Sequence, residues 1–492
     1  MNTTSTRRVV IFGTCPLPWE PYPVAGPALR TFQLMRPLWE AGCEVLIIAL
    51  RTPGVYPADV GDLCTTRPFE RVEFCHADYK IFTQREWVRR KIESFRPDAI
   101  VGAGSLLPNF EAGRWAGLAP FWADVFGDPV SELQSKGGAY GHDSTRGDLH
   151  HVWNLLTAVL LRGDRFSTLS GPQRLALIGQ LGLCGRLNAH TDGLDLVASI
   201  PCGVDERDEA AQAEPERMAD EQRREAAGRL GLAEAFAAAS ADGGRPFILL
   251  WAGSYNTWID EATLFSGVEQ AMAADPHIVF VSAGGGTEGY NPEIYERFRR
   301  RVEASRYRSR FAMLGWRPIG EMPRYYALAD VGLNVDRYTY EGVLGSRNRV
   351  VQFLKFGVPV LSTSLSEITT TLAARDLITT FPIGDARAFS ETILRLSRHP
   401  AALTDQARRG RRFVLDEFGF EKTTQPLLAW VADPRRAPDN AAALAVTGAL
   451  PGPPGSYTLD FQRLLDSERF MPWIREIEAR ANRPGLLRKL FR

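Results

Sequence analysis

The chain has 492 residues, enough for two or three domains with cores of their own. Lys plus Arg and Asp plus Glu each total 58, so no global field draws the chain to nucleic acid or to an anionic membrane. No apolar run approaches the roughly 18 residues a membrane span needs. The six cysteines show no C-x-x-C and no His–Cys ligand spacing, which argues against a disulfide framework and for a reducing cytoplasm.

"RVVIFG" (8–13) reads as a buried strand, because it is too short for the core of an export signal and runs into Gly-Thr-Cys-Pro. A Pro/Gly-rich loop follows, then a helical pattern that Gly42 ends, then the strand "EVLIIAL". Strand, helix and strand in sequence make a βαβ unit, and such units build parallel sheets. Further α/β material follows at "DAIVGAG", "LAPFWADVFGD" and "DRFSTLSGPQRLALIGQLG", and "LVASIPCGVD" closes the series. The first domain is therefore placed at 1–205, and the Ala/Glu/Arg-rich stretch 206–244 is read as a linker or surface helix.

A second series starts with "PFILLWAG" and continues through "HIVFVSAGGG", "RFAMLGW" and "DVGLNV" to "GVPVLSTS". It defines a second domain at 245–430. The predicted fold class is α/β, with two Rossmann-like domains facing across a cleft. Residues 431–456, rich in Pro, Ala and Gly, read as a flexible connector. The 457–492 extension ends in "RPGLLRKLFR", either a solvated terminal helix or a basic tail contacting a membrane surface or partner.

Several motifs are missing: G-x-x-x-x-G-K-[ST], H-E-x-x-H, G-x-S-x-G and D-x-D. "GGGTEG" (284–289) has dinucleotide-loop spacing, but the next strand ends Leu-Gly-Trp without the acidic residue such a site needs. No metal site is expected. Ligands of open α/β sheets bind beyond the carboxyl ends of the strands. At those ends stand Gly253 and Ser254, followed by Asn256 and Trp258 in the same loop; Trp316 closes a later strand. Arg347 and Arg349, with Ser346 beside them, precede the helix "VVQFLKF", and guanidinium forks suit phosphate oxygens.

"WAGSYNTWID", "MLGWRP" and "DVGLNVDRYTYEGVLGSRNRVVQFLKFGVPVLST" together resemble the bacterial family-4-like (group 1) glycosyltransferases of GT-B fold. The resemblance spans about 8–430. It implies a glycosyltransferase that moves a sugar from a UDP- or GDP-sugar co-substrate to a hydroxyl acceptor, a glycan, lipid-linked or small molecule. It further implies retention of configuration and no covalently bound cofactor. The protein would act in the cytoplasm, with peripheral contact to the inner membrane face as an option for its tail.

The family's E-x7-E signature is altered: its second position holds Gln352 and its first holds Leu344, with Glu341 three residues earlier. The resemblance makes Glu341 the sugar contact and Gln352 the ribose contact. In the first half it places Gly26 at the donor diphosphate. Arg30 and Asp128 are candidates for the acceptor side. Asp124, at a strand end, is the candidate proton acceptor, and helix capping is the rival role for Asp128. A sugar-nucleotide epimerase, a phosphorylase and a non-catalytic carbohydrate-binding protein on the same fold remain alternatives.

Overall fold

The computed structural model describes residues 6–57, 59–141, 145, 148–209, 218–286 and 292–450. The 457–492 extension and part of the 284–289 loop lie outside the described residues. The first lobe is built on eight strands: β1 (Arg8–Cys15), β2 (Glu44–Arg51), β3 (Leu63–Phe69), β4 (Val72–Ala77), β5 (Ala99–Gly102), β6 (Phe121–Asp124), β7 (Arg165–Thr168) and β8 (Val197–Ser199). Their order is β3-β4-β2-β1-β5-β6-β7-β8. All neighbours are parallel except β3 and β4, a hairpin at the edge that the sequence reading did not anticipate. β3 is largely exposed and carries Thr, Arg and Pro, so no apolar run marks it.

The second lobe has six parallel strands: β9 (Phe247–Ala252), β10 (Ile278–Ala283), β11 (Phe311–Met313), β12 (Val331–Asn334), β13 (Val360–Ser362) and β14 (Thr379–Thr380), in the order β11-β10-β9-β12-β13-β14. β9 and β10 are buried along their whole length, as expected for strands covered by helices on both faces. The order reverses beside β1 in the first lobe and beside β9 in the second, and crevices open at such switch points.

The domain boundaries differ from the composition-based ones at two places. The 206–244 stretch, read as a linker or surface helix, contains the helices Asp220–Arg229 and Ala233–Ala239, but their Ala227, Ala235 and Phe236 join the core of the second lobe. Beyond Phe418 the chain crosses back. Phe420, Leu427 and Val431 pack into the first lobe with Val9 and Ile11, and Trp430 meets Trp122 at 5.5 Å.

The segment expected to be a flexible connector contains a helix, Pro438–Thr447. It is fixed by the buried Asp164 carboxylate, which accepts from Ala437 N at 2.9 Å and Asn440 Nδ2 at 2.9 Å, and by the Arg186–Asp439 ion pair at 2.6 Å. A chain rich in Ala and Pro looks like a linker until these partners, some 250 residues away, are known.

The lobes touch directly. Ser170 Oγ donates to Leu344 O at 2.5 Å, Gly171 N donates to Glu367 at 2.8 Å, and Arg337 Nη2 donates to Ser135 O at 2.9 Å.

Candidate functional site

The cleft-facing ends of β9 and β12 hold the groups that a ligand would meet. β9 ends in Trp251 and Ala252, and Gly253 then turns with φ +93°, a conformation open to glycine but strained for other residues. The turn is tight: a side chain on Gly284 would come within 1.9 Å of Gly253 O. Past β12, Asp336 is 1% exposed and accepts from Asn334 Nδ2 at 2.9 Å.

Arg347 and Arg349 sit at the start of the helix Asn348–Lys355, Arg347 as its N-cap residue and Arg349 in its first turn. The two side chains take different roles. Arg347 is 3% exposed and reaches Asp336 Oδ2 through Nε at 2.8 Å. Its Nη1 and Nη2 meet the two Glu341 oxygens at 3.1 and 3.0 Å, and Nη1 also donates to Ser346 O at 2.9 Å. Burial works against the cation, but Asp336 and Glu341 outweigh it and leave the Arg347 pKa above the ordinary arginine value. The expectation that Arg347 meets the leaving diphosphate is therefore corrected: its charge is countered by two carboxylates, and four of its five N–H groups are engaged.

Arg349 has no such partner. Its guanidinium lies 3.7 Å from the centroid of the Trp251 ring, and Nη2 donates to Ser254 O at 2.6 Å. Nη1 is out of contact with solvent and, among the described residues, has no hydrogen-bond partner. Burial lowers its pKa to about 10, an effect that Asp336 opposes from a distance. At neutral pH the group is a desolvated cation with an unused donor, beside Gly253. Such a group is poised to bind an anion.

Glu341 is 4% exposed, and both its oxygens are held by Arg347. Burial pushes its carboxyl up, against the pull of Arg347. A direct sugar contact is thus corrected to a strut that fixes Arg347. Ser254 Oγ donates to Asn256 Oδ1 at 2.7 Å, within the loop that Arg349 holds. Trp258 lies 5.7 Å from the Arg347 guanidinium. Trp316 packs over Gly285 and donates to Gly286 O at 2.8 Å, so it lines the β10 loop.

Gln352 is partly exposed and makes no side-chain hydrogen bond among the described residues, which leaves its amide available. Ser346 lies beside Cys202 of the first lobe. Gly26 is brought to the same place: a side chain on it would lie 3.6 Å from Asn348 Nδ2.

The three charged first-lobe candidates, Asp124, Arg30 and Asp128, are not presented to the cleft. Asp124 and Arg30 form a fully buried pair at 2.6 Å and 2.9 Å. Asp124 also accepts from Ser167 Oγ at 2.6 Å and from Gly104 N at 3.4 Å. With both oxygens engaged, Asp124 is not placed to take an acceptor proton, and Arg30 is its partner rather than an acceptor ligand. Asp128 caps the helix Pro129–Tyr140 through Ser131 N at 2.8 Å and accepts from Gln180 at 2.8 Å.

Asp336, Trp251 and Arg337 were missed in the sequence. Asp336 had a readable signal, a carboxylate just past a strand that leads into the cleft. Trp251 had none, since an indole inside a buried strand looks like core. Arg337 bridges Thr257 O at 2.8 Å and Ser135 O, partners that only the fold brings together. Among the described residues no three His, Cys, Asp or Glu side chains gather as a metal-ligand set.

Residues 268–429, which include this arginine pair, match the family model described as "Glycosyl transferase-like". This part of the chain is a glycosyltransferase domain of the group 1 type, set in a GT-B fold. The sucrose-phosphate synthase of Thermosynechococcus elongatus superposes with a TM-score of 0.63 at 16% identity, covering 86% of this chain and 98% of that one. HepE of Anabaena, solved with UDP-glucose, gives a TM-score of 0.57 at 12% identity, covering 86% and 99%. The α,α-trehalose-phosphate synthase (UDP-forming) of Burkholderia vietnamiensis gives 0.54 at 15% identity, covering 87% and 98%. No curated protein matches the sequence. The domain match and the fold together support a glycosyltransferase. Among the described residues, no helix is long and apolar enough to cross a membrane.

Proposed function

We propose that the protein transfers a sugar from a UDP-linked donor to a hydroxyl acceptor, with retention of configuration and without a metal. The observation that carries this reading is the buried, unpartnered Nη1 of Arg349 beside the Gly253 turn. A diphosphate placed there would receive the free guanidinium donors, and the charge that develops on it as the sugar departs would be stabilised where water is excluded. UDP is favoured over GDP because similar folds were solved with UDP or UDP-glucose.

In this mechanism the bond from the anomeric carbon to the phosphate oxygen breaks and the bond to the acceptor oxygen forms on the same face. Since Asp124 is held by Arg30, the acceptor proton passes to the leaving phosphate oxygen. Catalysis is then mainly positioning and leaving-group stabilisation. Gln352, in place of a carboxylate, would hydrogen-bond the ribose as a neutral group. The acceptor is a glycan or other glycoconjugate precursor met in the cytoplasm.

A thermal-shift screen with UDP, GDP and their glucose conjugates tests the donor assignment, since a ligand that binds the folded state raises its apparent stability. The expected result is a clear shift with UDP and UDP-glucose. No shift with any nucleotide would remove the basis for the reading.

A further inference from the structure

The first lobe carries a second concentration of positive charge, remote from the cleft. Helices Leu106–Arg114 and Asp148–Arg162 run back from the carboxyl ends of the strands, so their last residues lie at the opposite edge of the sheet. There Arg85, Arg89, Arg114 and Arg162 surround a cavity of about 250 Å³ together with Phe110 and Trp115, and among the described residues no acidic side chain lines it.

The arrangement is held from behind. Glu111 binds Arg114 at 3.1 Å, and the Arg114 guanidinium lies 4.7 Å from the centre of the Phe110 ring. Arg162 Nη1 donates to Gly113 O at 3.0 Å, and Arg89 lies 6.0 Å from the centre of the Trp115 ring. Burial, and then the like charge of Arg114, lowers the Arg162 pKa. Among the described residues, Arg85 and Arg89 have no side-chain hydrogen bond or ion pair.

A second, independent feature points to a ligand. Trp115 is 9% exposed, and its buried indole Nε1 has no hydrogen-bond partner among the described residues. A buried donor without an acceptor keeps the full cost of its lost hydration, so natural folds seldom leave one. Among the described residues, the side chains lining this cavity offer four guanidinium groups and one indole, set against two aromatic rings. The Arg85 and Arg89 forks and the Trp115 indole lack an acceptor there, and one compact, multiply charged acceptor would serve all three. We propose that this cavity binds a phosphate-bearing ligand, at a site distinct from the donor cleft. Phosphate oxygens match the arginine forks, and the aromatic rings offer an apolar wall to whatever carries the phosphate.

The phosphate has two possible carriers, a soluble compound or a lipid headgroup, and hydrogen exchange on the full chain distinguishes them. One arm adds inorganic pyrophosphate; the other adds phosphatidylcholine vesicles with and without phosphatidylglycerol. Both are read against sodium chloride at matched ionic strength. Peptides spanning 85–95, 110–116 and 156–162, away from the strand ends that face the cleft, report on this site and not on the cleft.

The expected result is slower exchange in these peptides with pyrophosphate, or only with the phosphatidylglycerol vesicles, and loss of the effect in the Arg85→Glu/Arg89→Glu double variant. Both substitutions fall on exposed side chains. Pyrophosphate protection identifies a soluble phosphate compound, and vesicle protection identifies a lipid headgroup. No protection in either arm, equal protection by sodium chloride, or protection that survives in the double variant would overturn the proposal.

Discussion

The guanidinium of Arg349 rests 3.7 Å from the centre of the Trp251 ring, with Nη1 buried and unpartnered. Arg347, two positions earlier, is neutralised by Asp336 and Glu341. The same short motif thus yields one structural cation and one that waits for an anion. The reason is geometric: Arg347 has the non-helical backbone of an N-cap, while Arg349 lies inside the first turn and points to another side.

Replacing Arg349 with Met is expected to leave the ligand-free protein as stable as the wild type, or slightly more so, because a desolvated and unpaired cation is removed. The same variant should lose the thermal shift produced by UDP. Parallel melting curves with and without UDP check both halves.

Arg347→Ala should behave in the opposite way. It leaves Asp336 and Glu341 buried without a counter-charge, and breaking such a set costs about 3–5 kcal/mol. Urea unfolding at neutral pH measures the loss. A variant within about 0.5 kcal/mol of wild type, the range of ordinary surface substitutions, would contradict the strut assignment.

The alternation of strands and helices, and hence the two lobes and their cleft, was legible because β1, β2, β9 and β10 are unbroken apolar runs. The arginine pair was legible as a phosphate-binding motif. The division of labour within it was not, because it depends on Asp336 and on Trp251, which lies 98 positions before Arg349 and looks like core. For the same reason Asp124 was mistaken for a base: its partner Arg30 is 94 residues away. The return of residues 420–447 to the first lobe was hidden by composition, since Ala, Pro and Gly say nothing about distant partners such as Asp164.

His76 gives a pH dependence. It is 5% exposed, its Nδ1 accepts from Arg51 at 3.0 Å, and burial followed by the Arg51 charge lowers its pKa to about 4. As pH falls below 6.5 the unfolded chain gains a proton that the folded chain refuses, so stability is lost until about pH 4. The loss attributable to this group is about 3 kcal/mol. Urea unfolding at pH 7 and pH 4 should show a smaller drop in His76→Gln than in the wild type.

Arg337 ties the donor loop to the first lobe through Thr257 O and Ser135 O. Arg337→Ala is expected to lower UDP affinity several-fold and to increase the radius of gyration seen by small-angle scattering. Its melting temperature should change little. An unchanged radius of gyration would show that the other interlobe contacts hold the lobes together without this bridge.

The most direct test of the donor site is isothermal titration of UDP into the wild type, Arg349→Met and a conservative Arg349→Lys variant. The account predicts measurable binding to the wild type, a loss of tenfold or more in Arg349→Met, and incomplete recovery in Arg349→Lys, because an ammonium lacks the planar fork. Equal affinity for UDP in the wild type and Arg349→Met would contradict it.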